Sequence, residues 1–214
     1  MFINRQCIDW ESYGVATRFC YLGDILDGGG GAEAAVTARV RRGWQKFREL
    51  APFLASRAPS LRLKGRVYEA CVRSSMIYGS ETWALKTEGA QKLERAEMRM
   101  VRWMSGASLR DRLANSELRR RLGLESISEV VRRRRLRWFG HVVRKEEGDW
   151  TRKAWKWKVD GPIPRGRPRK TWDDVVVADC RQLGLTTEDA MDRTRWKVAM
   201  RRPRPTQEDL DNGR

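Results

Sequence analysis

TEGAQKLERAEMRMVRWMSG, residues 87–106, sets the architecture of this chain. Leu93, Met100 and Met104 recur at helical spacing, Glu88 sits in the first turn behind Thr87, and Gly106 follows as a stop. The stretch predicts a helix with one apolar stripe, and such a stripe needs neighbours to cover it.

The neighbours lie upstream. Val36, Val40, Trp44 and Phe47 return at three- and four-residue steps, predicting a helix near 33–50 that Pro52 ends. A second begins behind Ser60, a good N-cap, and carries Leu63, Val67, Cys71 and Met76 on one face toward Gly79. Each stripe needs the other two, so residues 32–106 form a three-helix unit. Before it, GVATRFCYLGDIL (14–26) is rich in β-branched and aromatic residues and runs into Gly28 to Gly31, a break no strand or helix carries. Residues 1–31 therefore read as a strand-like remnant and a glycine turn. A strand needs a partner, which only the first dozen residues could supply, and a lone hairpin is marginal in water.

Downstream, residues 107–160 form a basic helical region. Asn115 to Leu122 reads as a short helix closed by Gly123, and Ser128 caps a longer one over about 129–145. Ile127, Val131, Trp138 and Val142 share one side of it, but Arg132, Arg133, Arg134 and Arg135 interrupt. Four successive residues at ~100° each sweep nearly the whole circumference, so at least one of these arginines leans toward the buried side. Glu129 can pair with Arg133 at i, i+4. With Arg137, the run reads either as a solvated face or as a face that meets phosphates. RKAWKWKV (152–159) fits a half-buried strand through Trp155, Trp157 and Val159, or one side of a helix through Trp150, Ala154 and Trp157. Its tryptophans are core residues or a stacking platform.

Residues 161–170, GPIPRGRPRK, hold three prolines and four cations. Each residue before a proline is pushed to extended backbone, so the strap is open before anything binds. PRGRPRK resembles the AT-hook, whose two arginines lie in a narrow A·T minor groove; these would be Arg165 and Arg167, with Gly166 allowing close approach. A plain tether is the alternative. Arg169 and Lys170 complete its charge. Thr171 then caps a helix with Asp173 and Asp174 in its first turn, and a last helix behind Thr186 or Thr187 carries Ala190, Trp196 and Met200. Residues 171–201 are thus a C-terminal helix pair, and the polar tail 202–214 is expected to be disordered.

The 214-residue chain carries 45 Lys and Arg against 28 Asp and Glu, a net charge of +17. Residues 101–170 hold 21 of those cations and 8 anions. A field of that sign attracts polyanions. Cys7, Cys20, Cys71 and Cys180 form no C-x-x-C pair and His141 is the single histidine, so a zinc site is not expected. Without a signal peptide or an 18-residue apolar run, the expectation is a soluble intracellular protein, nuclear or cytoplasmic. DGGGGAEAAV (27–36) lacks the lysine of a phosphate-binding loop. Asp24 and Asp27 are the nearest approach to paired carboxylates and read better as turn residues. No enzyme chemistry, cofactor or metal is expected of the chain by itself.

Several phrases together resemble the region after the palm in reverse transcriptases of LINE-type (non-LTR) retrotransposons. They are YLGDIL, VYEACVRSSMIYGSETWAL, LERAEMRMVRWMSG, SLRDRLANSELRRRLGL, RRRRLRWFGHVVR and RGRPRKTWDDVV, which keep the family's order over residues 19–200. The resemblance implies that 21–26 is the last palm strand region and that 32–106 is the thumb, which grips the primer–template duplex. The basic remainder would help hold RNA or target DNA. The fingers, the Tyr-x-Asp-Asp turn of the palm and the endonuclease lack counterparts here, so no catalytic residue carries over.

These readings converge on a mainly α fold: a three-helix thumb-like bundle, a basic helical C-terminal region and a short β-hairpin-like N-terminal remnant. The expected partner is nucleic acid (RNA, DNA or hybrid duplex), with a separate polymerase-bearing polypeptide as a second partner and no membrane. The phosphate contacts are expected at Arg132, Arg133, Arg134, Arg135, Arg137, Arg165, Arg167, Arg169 and Lys170. The competing functions are an AT-hook minor-groove binder and a basic-helix module for an acidic protein.

Overall fold

The computed structural model describes residues 18–21, 23–27, 31–157 and 170–201. The described chain is mainly helical, with one small antiparallel hairpin, as the periodicity predicts.

Strands β1 (Arg18–Tyr21) and β2 (Asp24–Asp27) pair with each other, Arg18 opposite Asp27 and Tyr21 opposite Asp24. The strand expected over 14–26 is therefore split by a turn at Gly23 (φ +78°), and its partner is its own second half. Asp24 and Asp27 are strand residues, not turn residues. Asp24 accepts the indole N–H of Trp83 at 3.1 Å, and the carbonyl of Gly23 accepts from Arg39, whose guanidinium also stacks 4.3 Å from the ring centroid of Tyr78. These bonds fasten the hairpin to the helices.

Helix α1 spans Glu33–Glu49, and the chain resumes as a short α2 (Ala51–Leu54). The first helix ends before Pro52, as the sequence predicts, and the proline opens the next one. It lies in the first turn of α2, where its missing N–H costs no hydrogen bond. Helix α3 (Leu61–Val67) starts where expected, the Ser60 hydroxyl accepting from the Leu63 amide at 3.3 Å. It runs into a π-helical turn, Tyr68–Arg73, and then α4 (Ser74–Met76). A 3₁₀ turn (Ser80–Thr82) leads to α5 (Thr87–Ser105), whose C-terminal Gly106 is left-handed at φ +64°. Thr87 is the first residue of α5 and does not cap it. Helix α6 is Asn115–Leu122.

Helix α7 (Ile127–Val143) begins two residues earlier than expected. Ser128 lies inside it, and the hydroxyls of Ser126 and Ser128 both donate to Glu94 at 3.4 Å. Arg152 to Lys156 of RKAWKWKV lie in helix α8 (Trp150–Lys156), capped by Asp149, while Lys158 and Val159 fall outside the described residues. Trp155 packs in a core, whereas Trp150 and Trp157 are exposed. Helix α9 (Trp172–Gln182) opens with a capping box between Thr171 and Asp174. The expected last helix divides into a 3₁₀ turn, Glu188–Met191, and α10 (Arg193–Ala199), because the Asp192 carboxylate accepts the amides of Thr194 and Arg195 and starts a new helix there.

Two apolar cores result. The first joins Val36 and Phe47 of α1, Leu54, Tyr68, Met76, Met100 and Met104 of α5, and Leu118 and Leu122 of α6. The second joins Phe139, Val176, Cys180, Ala190, Trp196 and Met200. Helix α7 belongs to both, giving Ile127 and Val131 to the first and Leu136 and Phe139 to the second. Glycines set the closest approaches, Gly43 against the Met76 side chain among them. A Cβ on Gly65 would overlap the backbone carbonyl of Leu122, and one on Gly140 would overlap the Trp196 indole. That indole donates to the carbonyl of Leu136 at 2.9 Å and pins α10 against α7.

Candidate nucleic-acid interface

The arginine run on α7 faces inward more than outward. Arg135 is 3% exposed and donates to Asp179 of α9 at 2.6 Å, and Arg132 lies 4.0 Å from the other oxygen of the same carboxylate. Arg133 is bonded to both oxygens of Glu125, and Arg134 reaches Glu81 at 3.5 Å and the carbonyl of Ile77 at 3.4 Å. At least one arginine was expected to lean inward, and Arg135 does; its three neighbours are half-buried and each also meets a carboxylate. The pairing of Arg133 with Glu129 gives way to Glu125.

Physically, α7 is the element on which both cores close, so each cation it presents to them needs a counter-charge. Burial pushes both Arg135 and Asp179 toward their neutral forms, and the facing charge of each opposes this. Arg132 to Arg135 are therefore fastenings between helices and not a free row for phosphates. Arg137 is exposed and donates to the carbonyl of Met200 at 2.8 Å. Lys170 is exposed just before α9. Arg165, Arg167 and Arg169 lie outside the described residues.

A basic surface that the sequence reading did not single out lies between α1 and α5. The two helices flank an open groove of about 540 Å³. Lys92, Arg95 and Arg99 of α5 line it, and Thr37 and Trp44 come from α1. Lys92 donates to the Thr37 hydroxyl at 2.6 Å. No ion pair holds Arg95 or Arg99 among the described residues, and both are exposed. One turn beyond Arg99, Trp103 is 57% exposed, its ring 6.5 Å from Trp44 and 5.7 Å from Phe47. Three cations at helical spacing and Trp44 thus share one groove, with Glu33 and Glu88 also in its lining, and Trp103 stands beside Trp44 outside it. The signal was present as the stripe 92, 95, 99, 103 beside the apolar one.

No cluster of three or more His, Cys, Asp or Glu capable of holding a metal occurs among the described residues, nor is any described helix long and apolar enough to cross a membrane. Cys20, Cys71 and Cys180 are unpaired.

No family model matches the chain, and no solved structure matches it. It is similar to an uncharacterised transposon-derived protein of Caenorhabditis elegans, with 23% identity over 206 residues, covering 86% of this chain and 70% of that protein. The likeness points to transposon origin.

Proposed function

We propose that the chain is a retrotransposon-derived piece of a LINE-type reverse transcriptase, without polymerase chemistry of its own, that binds nucleic acid through its thumb-like helices and basic C-terminal part. The duplex lies along the α1–α5 groove, where Lys92, Arg95 and Arg99 neutralise phosphates and Trp44 supplies apolar surface, with Trp103 tilted against it just beyond. The observation that carries this reading is the groove itself: cations without carboxylate partners beside the half-buried Trp44 and the exposed Trp103, on a chain of net charge +17. The likeness to a transposon-derived protein supports the same origin. The strap, through Arg165, Arg167, Arg169 and Lys170, adds charge to the bound strand.

The test is a salt-series titration of the full chain against an RNA–DNA hybrid, an A·T-rich duplex and a G·C-rich duplex. Roughly six to ten phosphate contacts predict an affinity loss of about 10³- to 10⁵-fold between ~50 and ~200 mM salt. Arg95→Gln with Arg99→Gln lowers the salt slope by roughly 2, with unchanged circular dichroism. A preference for A·T-rich duplex that vanishes on Arg165→Ala or Arg167→Ala would instead favour the minor-groove reading. Binding that ignores salt, or no binding, overturns the proposal.

A further inference from the structure

Where α10 crosses the C-terminal half of α7, five cations line one open cavity of about 330 Å³. Arg137 and Arg144 come from α7 and the residue after it, Arg193 and Lys197 from α10, and Arg201 from just beyond its end. The remaining lining is Trp196 and Met200, both buried; no carboxylate is among the lining residues. Sequence reading could not assemble this cluster, because Arg137 and Arg201 are 64 positions apart and only the tertiary packing of Trp196 on Gly140 and Leu136 brings the two helices together.

The heads of two of the five are positioned in advance. Arg137 donates to the carbonyl of Met200 at 2.8 Å and Arg144 to the carbonyl of Ala190, so these guanidiniums lose little freedom when a ligand arrives. The other three are exposed and take part in no ion pair among the described residues. Burial and the neighbouring Arg193 both act against the charge on Arg144; on Arg137 it is burial, then Arg133 and Arg134. Like charges gathered without a counter-ion are relieved by an anion.

The shape of the cluster selects the kind of anion. Arg193 and Lys197 stand at i and i+4 on α10, a step of roughly 6 Å along the axis, and Arg201, past the helix end, lines the same cavity. Five cations spread along two crossing helices suit a chain of phosphates better than one. A lipid surface would also want apolar side chains at the rim, and the two apolar lining residues are each 2% exposed.

We propose that this cradle is a second phosphate track, distinct from the α1–α5 groove, which takes the sugar–phosphate backbone of a nucleic-acid strand. It rests on the reading of the chain as a nucleic-acid binder and adds where a second stretch of strand is held.

The test uses the full chain carrying Arg193→Gln, Lys197→Gln and Arg201→Gln together. None of these side chains holds the fold, so circular dichroism and melting stay as in the parent. Against a single-stranded oligonucleotide and a duplex, the slope of log affinity on log salt falls by roughly 2 to 3, and binding at ~0.1 M salt weakens roughly 10- to 100-fold. An unchanged slope in this variant, while the parent binds and the Arg95→Gln/Arg99→Gln variant is impaired, overturns the cradle and leaves the groove standing. A parent that binds no strand at low salt overturns both. Inorganic phosphate competing as strongly as the oligonucleotide would make the cradle a single-anion site and overturn the track. Phosphatidylserine vesicles that sediment the parent but not the variant, with nucleic-acid slopes equal, would overturn it in favour of a membrane surface.

Discussion

Arg73 and Glu97 face each other inside the first core, their side chains 1% and 0% exposed, with Nη2 and Nε of the arginine 2.8 and 2.9 Å from the same carboxylate oxygen. The remaining valences are also met. Glu97 accepts from the Tyr68 hydroxyl at 3.4 Å and from the Ile127 amide at 3.2 Å, while Arg73 donates to the Glu125 carbonyl at 2.7 Å. The π-helical turn, α5 and the start of α7 thus meet at one pair. Burial pushes the Glu97 carboxyl up, and Arg73 opposes it. Removing one partner strands the other's charge in a dry site, which costs about 3–5 kcal/mol, whereas replacing both by apolar groups of like volume costs far less. Glu97→Gln should therefore lower the denaturant midpoint sharply, and Arg73→Met/Glu97→Leu should recover much of the loss. Additive losses in that double-mutant cycle would contradict the account.

Gly65→Ala probes a different kind of fit. The new methyl would meet the backbone carbonyl of Leu122, which cannot swing aside as a side chain does. Overpacking of this sort costs about 1–3 kcal/mol. Gly106→Ala serves as the comparison: no atom lies within 4 Å of a Cβ there, and the left-handed backbone alone opposes the substitution. Thermal melts of the two variants separate crowding from backbone strain, and Gly65→Ala should be the less stable.

Arg135→Gln should weaken the junction of α7 with α9, because it leaves Asp179 buried with only the 4.0 Å contact to Arg132. Breaking such a pair costs about 3–5 kcal/mol. The same change should leave the salt slope of nucleic-acid binding unaltered wherever the protein remains folded, since this guanidinium faces a carboxylate and not solvent. A drop of about one in that slope would return Arg135 to the phosphate-contacting set.

What could be read in advance follows from range. The stripes of α1 and α5 and the caps at Ser60 and Thr171 are local patterns, and the structure bears them out; the stripe expected on α3 does not hold, since Leu63 is exposed and Tyr68 and Val72 take the buried face. The helix expected over 33–50 is α1, which stops at Glu49; that Pro52 then opens a second short helix was not read, because a proline that follows one helix can begin the next. The arginine run failed for a tertiary reason: Glu81, Glu125 and Asp179 are 53, 8 and 44 positions from their partners. Charge density in sequence does not say whether a cation faces water or a distant carboxylate. The α1–α5 groove was legible as a second stripe on α5, but its α1 wall required the packing of two helices.

Thiol chemistry should follow burial. Cys180 lies in the second core, where burial, followed by the charges of Asp179, Asp189 and Glu188, raises its thiol to about 11. At mildly alkaline pH it should resist iodoacetamide while Cys20, which is exposed, is alkylated promptly. Mass spectrometry of timed aliquots reads the order. In denaturant Cys180 should become as reactive as Cys20, and equal rates in the native protein would contradict the burial of α9.

Acid should weaken the fold through carboxylates held in their charged form. Hydrogen bonds from Arg120 and then Arg121 hold Glu117 down at about 2, and hydrogen bonds from Lys145 and the Thr151 amide hold Asp149 at about 2. The unfolded chain titrates these groups near 4.5 and 3.8, so between those values and about 2 it binds more protons than the folded protein. Their contribution is complete above about 4.5 and is lost as pH falls toward about 2. Both groups lie at the surface, so salt screens the effect and each share is small. Denaturant midpoints followed from neutral pH into acid should therefore fall less steeply in Glu117→Gln/Asp149→Asn than in the parent. Parallel acid limbs would show that these pairs contribute nothing that titrates, leaving the decline to other carboxylates.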